Sequence, residues 1–103
     1  MRCYWDEQDT WFYFEFDAEG WVTRQVELEG PELTPIAAAS LGECDSRFGT
    51  TAESPVSEWE GYDAEHLTSV EFEDVWGSAR RQIAARAGRH VVRQQFGPFR
   101  VGA

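Results

Sequence analysis

The sequence predicts an α+β fold in which a small antiparallel sheet, led by an N-terminal β-hairpin, packs against one long C-terminal amphipathic helix. Three observations support this prediction. Phenylalanines occupy alternate positions near the start of the chain, a glycine turn separates them from a second strand-like segment, and apolar residues recur at helical spacing over residues 69–87. At 103 residues the chain has the length of a single domain, whose ordered core we expect at about residues 10–88.

The hairpin is predicted over residues 11–28. Phe12, Phe14 and Phe16 follow the period-two pattern of a strand that buries one face. Residues 17–20, Asp-Ala-Glu-Gly, are typical of a tight turn, with glycine where a positive φ is needed. The expected cross-strand pairs are Phe16 with Val22, Phe14 with Arg24, and Phe12 with Val26.

The two faces of this hairpin have different expected environments. The phenylalanine face, joined by Val22, Val26 and Leu28, is predicted to be the core beneath the helix. The opposite face carries three large aromatic residues. Either another element covers them, or they form an exposed binding patch rimmed by carboxylates. The residues of that opposite face are Trp11, Tyr13, Trp21, Gln25 and Glu27.

Arg24 is a charged residue on the face that is predicted to be core. A buried guanidinium without a partner is costly, so Arg24 must pair with an acid, stack on a ring or reach the sheet edge. We expect a structural ion pair, with ligand recognition as the alternative.

The middle of the chain holds shorter elements. Residues 34–38 are interpreted as a third strand, with a helical turn around residues 37–41 as the alternative. Residues 42–53 and 61–65 have the composition of loops, and residues 55–59 are predicted to contain a short strand.

The helix is predicted over residues 69–87. Thr68 and Glu71 have the spacing of a capping box, and Leu67 and Phe72 that of a hydrophobic staple. Gly88 is expected to end the helix. The predicted apolar stripe comprises Phe72, Val75, Trp76, Ala79, Ile83 and Ala87.

Charge is distributed unevenly along the chain. All 19 acidic residues lie at or before Asp74, whereas six of the nine arginines follow it, and the net charge is −10. We expect the basic segment to be attracted to the acidic body, and residues 89–103 to form either a docked strand or a mobile arm. The net negative charge disfavours nucleic-acid binding and is compatible with a basic protein partner.

Several chemistries are excluded or disfavoured by the residue types. Without any lysine, the chain can hold neither a P-loop nor a Schiff-base site. It also lacks the G-x-S-x-G, H-E-x-x-H and G-x-G-x-x-G motifs. No closely spaced ligand pair occurs among Cys3, Cys44, His66 and His90, so we expect free thiols and no metal site. The prediction is a protein that is not an enzyme and binds no cofactor.

Two segments resemble a known group of proteins. FEFDAEGWVTRQVELEGPELTPIAAASL and EFEDVWGSARRQIAAR are similar to small acidic proteins of Streptomyces and related actinobacteria, which share a G-W-V-x-R-Q-V-E-L strand. The resemblance covers about residues 11–41 and 68–87. It places Trp21, Arg24 and Gln25 in the family pattern. The function of that family is not established. The resemblance therefore suggests a cellular setting but does not suggest a function.

These observations leave two candidate functions. The first is an acidic protein-binding module, similar in character to immunity or inhibitor proteins, that recognises a basic partner. The second is a small-molecule binder that uses a cleft between helix and sheet. A cytoplasmic location is expected, because the N-terminus becomes acidic before a signal sequence could form. The candidate binding residues are Trp11, Tyr13, Trp21, Arg24, Gln25, Glu27 and Trp59, with Trp21, Arg24 and Trp59 as the walls of the cleft.

Overall fold

The computed structural model describes residues 1–59 and 63–95, with side chains of the final helix described up to residue 86. Four antiparallel strands form one sheet in the order β1-β2-β3-β4, and one long helix, α1, packs on it. The predicted α+β fold is confirmed. The elements are β1 (Arg2–Trp5), β2 (Thr10–Phe16), β3 (Val22–Glu29), β4 (Thr34–Ser40) and α1 (Ser69–Gln95), with 3₁₀ turns at Ser46–Phe48 and Val56–Glu58.

Strand β1 precedes the predicted hairpin and was not expected from the sequence. It pairs with β2, so that Cys3 lies opposite Phe12 and Trp5 lies opposite Thr10. An antiparallel bridge between Arg2 and Glu65 occupies part of its other edge. Four residues are too few to show a reliable period-two pattern, so this strand is defined by its pairing rather than by its own sequence.

The register of the β2–β3 hairpin differs from the predicted one. Phe16 does pair with Val22, but Thr23 is an extra residue in a β-bulge, and Glu15 then lies opposite Arg24. The predicted partners of Arg24 and Val26 are therefore wrong. The Thr23 hydroxyl donates to the Glu15 backbone carbonyl (3.1 Å) and to its carboxylate (2.7 Å), which stabilises the bulge.

This shift of one residue reverses the faces of β2. Val26 now lies opposite Tyr13, so Tyr13 shares a face with Val26 and Leu28. The helix packs on that face, and Tyr13 is only 6% exposed. The prediction that the phenylalanines lie under the helix is wrong. The core between sheet and helix comprises Tyr13, Val26, Leu28, Ala38, Phe48, Phe72, Ala79 and Ile83, with Trp11, Leu67, Val75, Trp76 and Ala84 packed against it.

We call the covered side of the sheet the helix face and the other side the outer face. The helix face carries Trp11, Tyr13, Glu15, Arg24, Val26, Leu28 and Ala38. The outer face carries Cys3, Trp5, Phe12, Phe14, Phe16, Gln25, Glu27, Ala37 and Ala39.

Helix α1 begins as predicted. The Glu71 amide donates to the Thr68 hydroxyl (3.1 Å) and the Thr68 amide donates to the Glu71 carboxylate (2.9 Å), so the capping box is present. The predicted end is wrong, because the helix continues through Gly88 to Gln95. A glycine inside a helix costs about 1 kcal/mol relative to alanine, which does not suffice to stop it. Residues 89–95 are therefore helical, and residues 96–103 of the predicted tail lie outside the described part.

The third predicted strand is confirmed and is the edge strand β4. Two arginines of the helix reach it: Arg80 donates to the Ala38 carbonyl (2.9 Å) and Arg86 donates to the Pro35 carbonyl. These contacts occupy polar groups of an edge strand that could otherwise pair with another chain. Arg80 also forms an ion pair with Glu43 (2.7 Å), which joins the basic segment to the acidic body. The short strand predicted at residues 55–59 is instead a 3₁₀ turn.

Candidate functional site

Five aromatic side chains form a continuous row on the outer face, which we call the aromatic ladder. Its ring centroids are 6.0 Å apart for Trp5 and Phe12, 5.8 Å for Phe12 and Phe14, and 5.8 Å for Phe14 and Phe16. The Trp59 ring packs on Phe14 and Phe16, with centroid distances of 4.9 Å and 5.8 Å. These separations are those of favourable aromatic pairs, so the ladder is a packed unit.

One end of the ladder is covered by residues 49–59, which we call the covering loop. The Ala52 amide donates to the Gln25 side-chain carbonyl (2.8 Å), which fixes the loop to the sheet. The Trp59 indole donates to the Ser54 hydroxyl (3.0 Å), and the Trp59 ring packs on Phe14. Phe14 is consequently only 7% exposed. This end of the outer face is a second, smaller core.

The other end of the ladder is open to solvent, and we define the open end as Cys3, Trp5, Phe12 and Glu27. Trp5 is 43% exposed, and Cys3, Phe12 and Glu27 are half-buried. Cys3 and Glu27 flank Phe12 on the two neighbouring strands, because each is its cross-strand partner. The open end therefore combines exposed aromatic surface with a carboxylate and a thiol.

Glu27 is an unusual carboxylate. It lies between Phe12 and Ala37 across the strands, and the Gln25 amide donates to its Oε2 atom at 3.1 Å. Among the residues that the structure describes, no cationic side chain forms an ion pair with it. Burial raises the pKa of Glu27, and the hydrogen bond from Gln25 opposes this only in part. A carboxylate is thus held in a partly apolar setting, and no described cation neutralises it.

Replacing Glu27 with glutamine should stabilise the protein at neutral pH. Because the folded-state pKa of Glu27 is raised above 4.5, the folded chain binds the proton more tightly than the unfolded chain. The wild type therefore loses stability as pH rises through the window between 4.5 and the raised value. Glu27→Gln removes this loss, so its advantage should be absent below about pH 4.5 and present at pH 7. Urea unfolding at several pH values measures the difference.

The matched control for this experiment is Glu19→Gln, in the exposed β2–β3 turn. It removes the same charge from the chain but should change the unfolding free energy by no more than about 0.5 kcal/mol at any pH. Equal pH profiles for Glu27→Gln and the wild type would show that burial does not penalise the Glu27 carboxylate.

Arg24 lies on the helix face, away from the open end. Its guanidinium donates to both oxygens of Glu15 (2.8 and 2.5 Å) and to Glu73 (3.3 Å), and it stacks about 5 Å from the ring centroids of Phe72 and Trp76. The hydrogen bonds that Arg24 donates to Glu15 and Glu73 raise the guanidinium pKa further. The expected structural ion pair is present, and it joins β2, β3 and the helix.

The predicted binding residues are divided between the two faces. Tyr13 is buried and Trp11 half-buried on the helix face. Trp21 is 39% exposed, directly after the β2–β3 turn. The structure brings together Gln25, Glu27 and Trp59 on the outer face.

Sequence reasoning missed Trp5 and Phe12 as surface residues. Phe12 was assigned to the core because an unbulged hairpin places it opposite Val26. The aromatic pair Tyr4-Trp5 at the start of the chain is the one signal for Trp5. It points to a surface residue only if β1 is recognised as a strand.

The predicted ligand cleft is not formed by its expected walls. Trp59 packs on the outer face, whereas Arg24 is held on the helix face. A shallow groove of about 240 Å³ does lie between helix and sheet, but Trp21, Arg24 and Trp59 are not among its lining residues. The groove is lined by Leu28, Leu33, Pro35, Asp74, Val75, Ser78, Ala79 and Gln82.

Comparison with protein-family models, curated proteins and solved structures found no match to this chain. The resemblance to actinobacterial proteins therefore stays a prediction. Among the side chains of residues 1–59 and 63–86, no three potential metal ligands are grouped together. The helix described here lacks the apolar length that crossing a bilayer requires.

Proposed function

We propose that this protein is a non-enzymatic, acidic protein-binding module that recognises a partner with a basic surface through the open end of its outer face. The observation that carries the proposal is the position of Glu27, a carboxylate beside Phe12 at the end of the ladder where Trp5 is exposed, with which no described cation forms an ion pair. A cytoplasmic module of the immunity or inhibitor type fits this description.

The composition of the open end supports protein binding. Aromatic residues are enriched at the centres of protein interfaces, where a few of them supply most of the binding energy. Trp5 packs against Phe12, and Phe12 stacks on Phe14, so little side-chain entropy would be lost on binding. A rigid, partly exposed aromatic surface is expected of a binding site.

The charge of the chain supports a basic partner. A net charge of −10 attracts cationic proteins at long range and accelerates their association. Glu29 lies next to Glu27 on the same face of β3 and is exposed, which extends the negative field around the rings. An anionic partner, including nucleic acid, would be repelled by the same field.

Photo-crosslinking tests this proposal. p-Benzoylphenylalanine replaces Trp5 in one variant and Val70 in a control variant, and both are irradiated in a lysate of cells that produce the protein. Val70 is a suitable control because it is 69% exposed on the first turn of the helix, away from the outer face. We expect the Trp5 variant to form adducts with a basic protein, in yields that fall steeply as salt is raised.

The outcome is decided by the adduct yield relative to the Val70 control, by its dependence on salt and by the charge of the captured protein. Mass spectrometry identifies the captured protein and its isoelectric point. Adducts of equal yield from the Trp5 and Val70 positions, an acidic adduct partner, or yields that do not change with salt would each contradict the proposal.

A further inference from the structure

We propose that the open end binds an arginine side chain of the partner, with the guanidinium on the Glu27 carboxylate and in contact with the rings of Trp5 and Phe12. This inference rests on the proposed function and specifies the group that is recognised. It is carried by the arrangement of the two rings and the carboxylate on adjacent strands.

The rings provide the stacking surface. Trp5 and Phe12 lie on neighbouring strands with centroids 6.0 Å apart and planes inclined at 43°, so they form two sides of a shallow corner. Trp5 has nearly half of its surface exposed. A planar, weakly hydrated guanidinium stacks on such rings better than a compact ammonium does.

Glu27 provides the charge. The hydrogen bond from Gln25 reaches its Oε2 atom, and no described residue donates a hydrogen bond to Oε1. Gln25 is itself held by the Ala52 amide of the covering loop, so the Glu27 carboxylate is positioned rather than free to rotate. A positioned carboxylate with an available oxygen accepts a charge-assisted hydrogen bond at low entropic cost.

No described residue neutralises Glu27. Of the six arginines whose side chains the structure describes, five are engaged with an acid elsewhere or with the backbone of β4, and the sixth, Arg81, is exposed on the helix. The pairs are Arg2 with Glu65, Arg24 with Glu15 and Glu73, Arg47 with Asp45, and Arg80 with Glu43, while Arg86 bonds to Pro35.

Two carboxylates lie at this end of the sheet, since Glu29 is exposed next to Glu27 on the same face of β3. The proposal assigns the guanidinium to Glu27 because the Gln25 amide holds that carboxylate in place. Burial raises the pKa of the Cys3 thiol, so Cys3 is neutral at pH 7 and brings no competing charge. Within the described part of the chain no cation is paired with the Glu27 carboxylate, so a second molecule can supply one.

The test is an NMR titration of the ¹⁵N-labelled full chain with three small probes. These are Nα-acetyl-arginine methylamide, the corresponding citrulline compound, which has the same shape without charge, and the corresponding lysine compound. We expect the arginine probe to bind with a millimolar Kd and to shift the Trp5 indole and the amides of Cys3, Phe12 and Glu27. The citrulline probe should shift none of them.

Two variants make the titration specific. Glu27→Gln should weaken arginine binding by about tenfold or more, because it removes the charge from the hydrogen bond. Glu19→Gln removes a charge at the far end of the sheet and should leave the Kd unchanged. The Glu27 variant is expected to be at least as stable as the wild type, so loss of folding would not explain lost binding.

Three results would overturn the inference: equal shifts with citrulline, equal binding by lysine, or arginine binding that survives Glu27→Gln. Shifts around Arg81 or elsewhere on the helix, in place of the open end, would do the same. If crosslinking at Trp5 captures a basic protein and the arginine probe does not bind, the proposed function stands and this inference fails. If neither experiment succeeds, both fail.

Discussion

Replacing Tyr13 with alanine should destabilise the protein by about 3–5 kcal/mol, the range for large aromatic residues truncated in a core. Tyr13 is 6% exposed and packs in one cluster with Val26, Phe72 and Ile83. Its removal would leave a cavity between β2 and the helix that a rigid sheet cannot fill by relaxing. Chemical denaturation monitored by far-ultraviolet circular dichroism measures the change in unfolding free energy.

The neighbouring substitution Phe12→Ala is the matched control. Phe12 belongs to the same strand but lies on the outer face, half-buried at the open end. Its truncation should cost about 1–2 kcal/mol, because part of the ring is already in contact with water. A larger loss for Phe12→Ala than for Tyr13→Ala would show that the helix covers the phenylalanines and that the bulge is misplaced.

Replacing Arg24 with alanine should cost about 2–3 kcal/mol, between the values for exposed and fully buried ion pairs. The guanidinium joins Glu15 on β2 to Glu73 on the helix and also packs on the rings of Phe72 and Trp76. Its loss would leave the two carboxylates near each other without a cation between them.

The effect of Arg24→Ala should depend on pH. Hydrogen bonds from Arg24 hold the pKa values of Glu15 and Glu73 below 4.5. The resulting stability is fully present above about pH 4.5 and is lost as pH falls through the lowered folded-state values. The variant should therefore differ most from the wild type near neutral pH and least in acid.

Arg47→Ala is the control for the Arg24 experiment. Arg47 pairs with Asp45 on an exposed loop, and an ion pair screened by solvent in this way contributes little to stability. If Arg24→Ala were as mild as Arg47→Ala, or if its cost did not diminish in acid, Arg24 would not be the structural joint described here. Unchanged crosslinking from the Trp5 position in Arg24→Ala would further separate its structural role from binding.

Local signals in the sequence were sufficient to predict the helix start and the fold class. The capping box at Thr68 and Glu71 and the apolar stripe depend on neighbours within one or two turns. The end of the helix could not be predicted in the same way, since a single glycine, Gly88, only weakens a helix.

The face of the sheet that meets the helix could not be predicted from alternation alone. Strand β2 is apolar on both faces, with Tyr13 on one and Phe14 on the other, and both are buried. The bulge at Thr23 decides which face meets the helix, and it has no distinctive sequence signal. Once the register was wrong by one residue, every assignment on β2 was reversed.

The candidate site was predicted only in part, because the same error in register affected it. Glu27 and Gln25 were placed on the surface opposite Val26, and the structure does place them on the outer face. The predicted aromatic neighbours were wrong, because Trp11 and Tyr13 lie on the helix face while Phe12, Phe14 and Phe16 lie on the outer face. Long-range features, such as β1 and the covering loop, are determined by pairing between distant segments and leave little trace in a single sequence.

Nuclear Overhauser effects between the sheet and the helix test the central claim most directly. With Tyr13, Val26 and Ala38 facing the helix, contacts should appear between these side chains and the methyl groups of Ala79 and Ile83. The rings on the outer face should show none to those methyl groups. Contacts from Phe12 or Phe14 to Ala79 or Ile83, with none from Tyr13, would contradict the assignment of the two faces and remove the basis for a binding site at the open end.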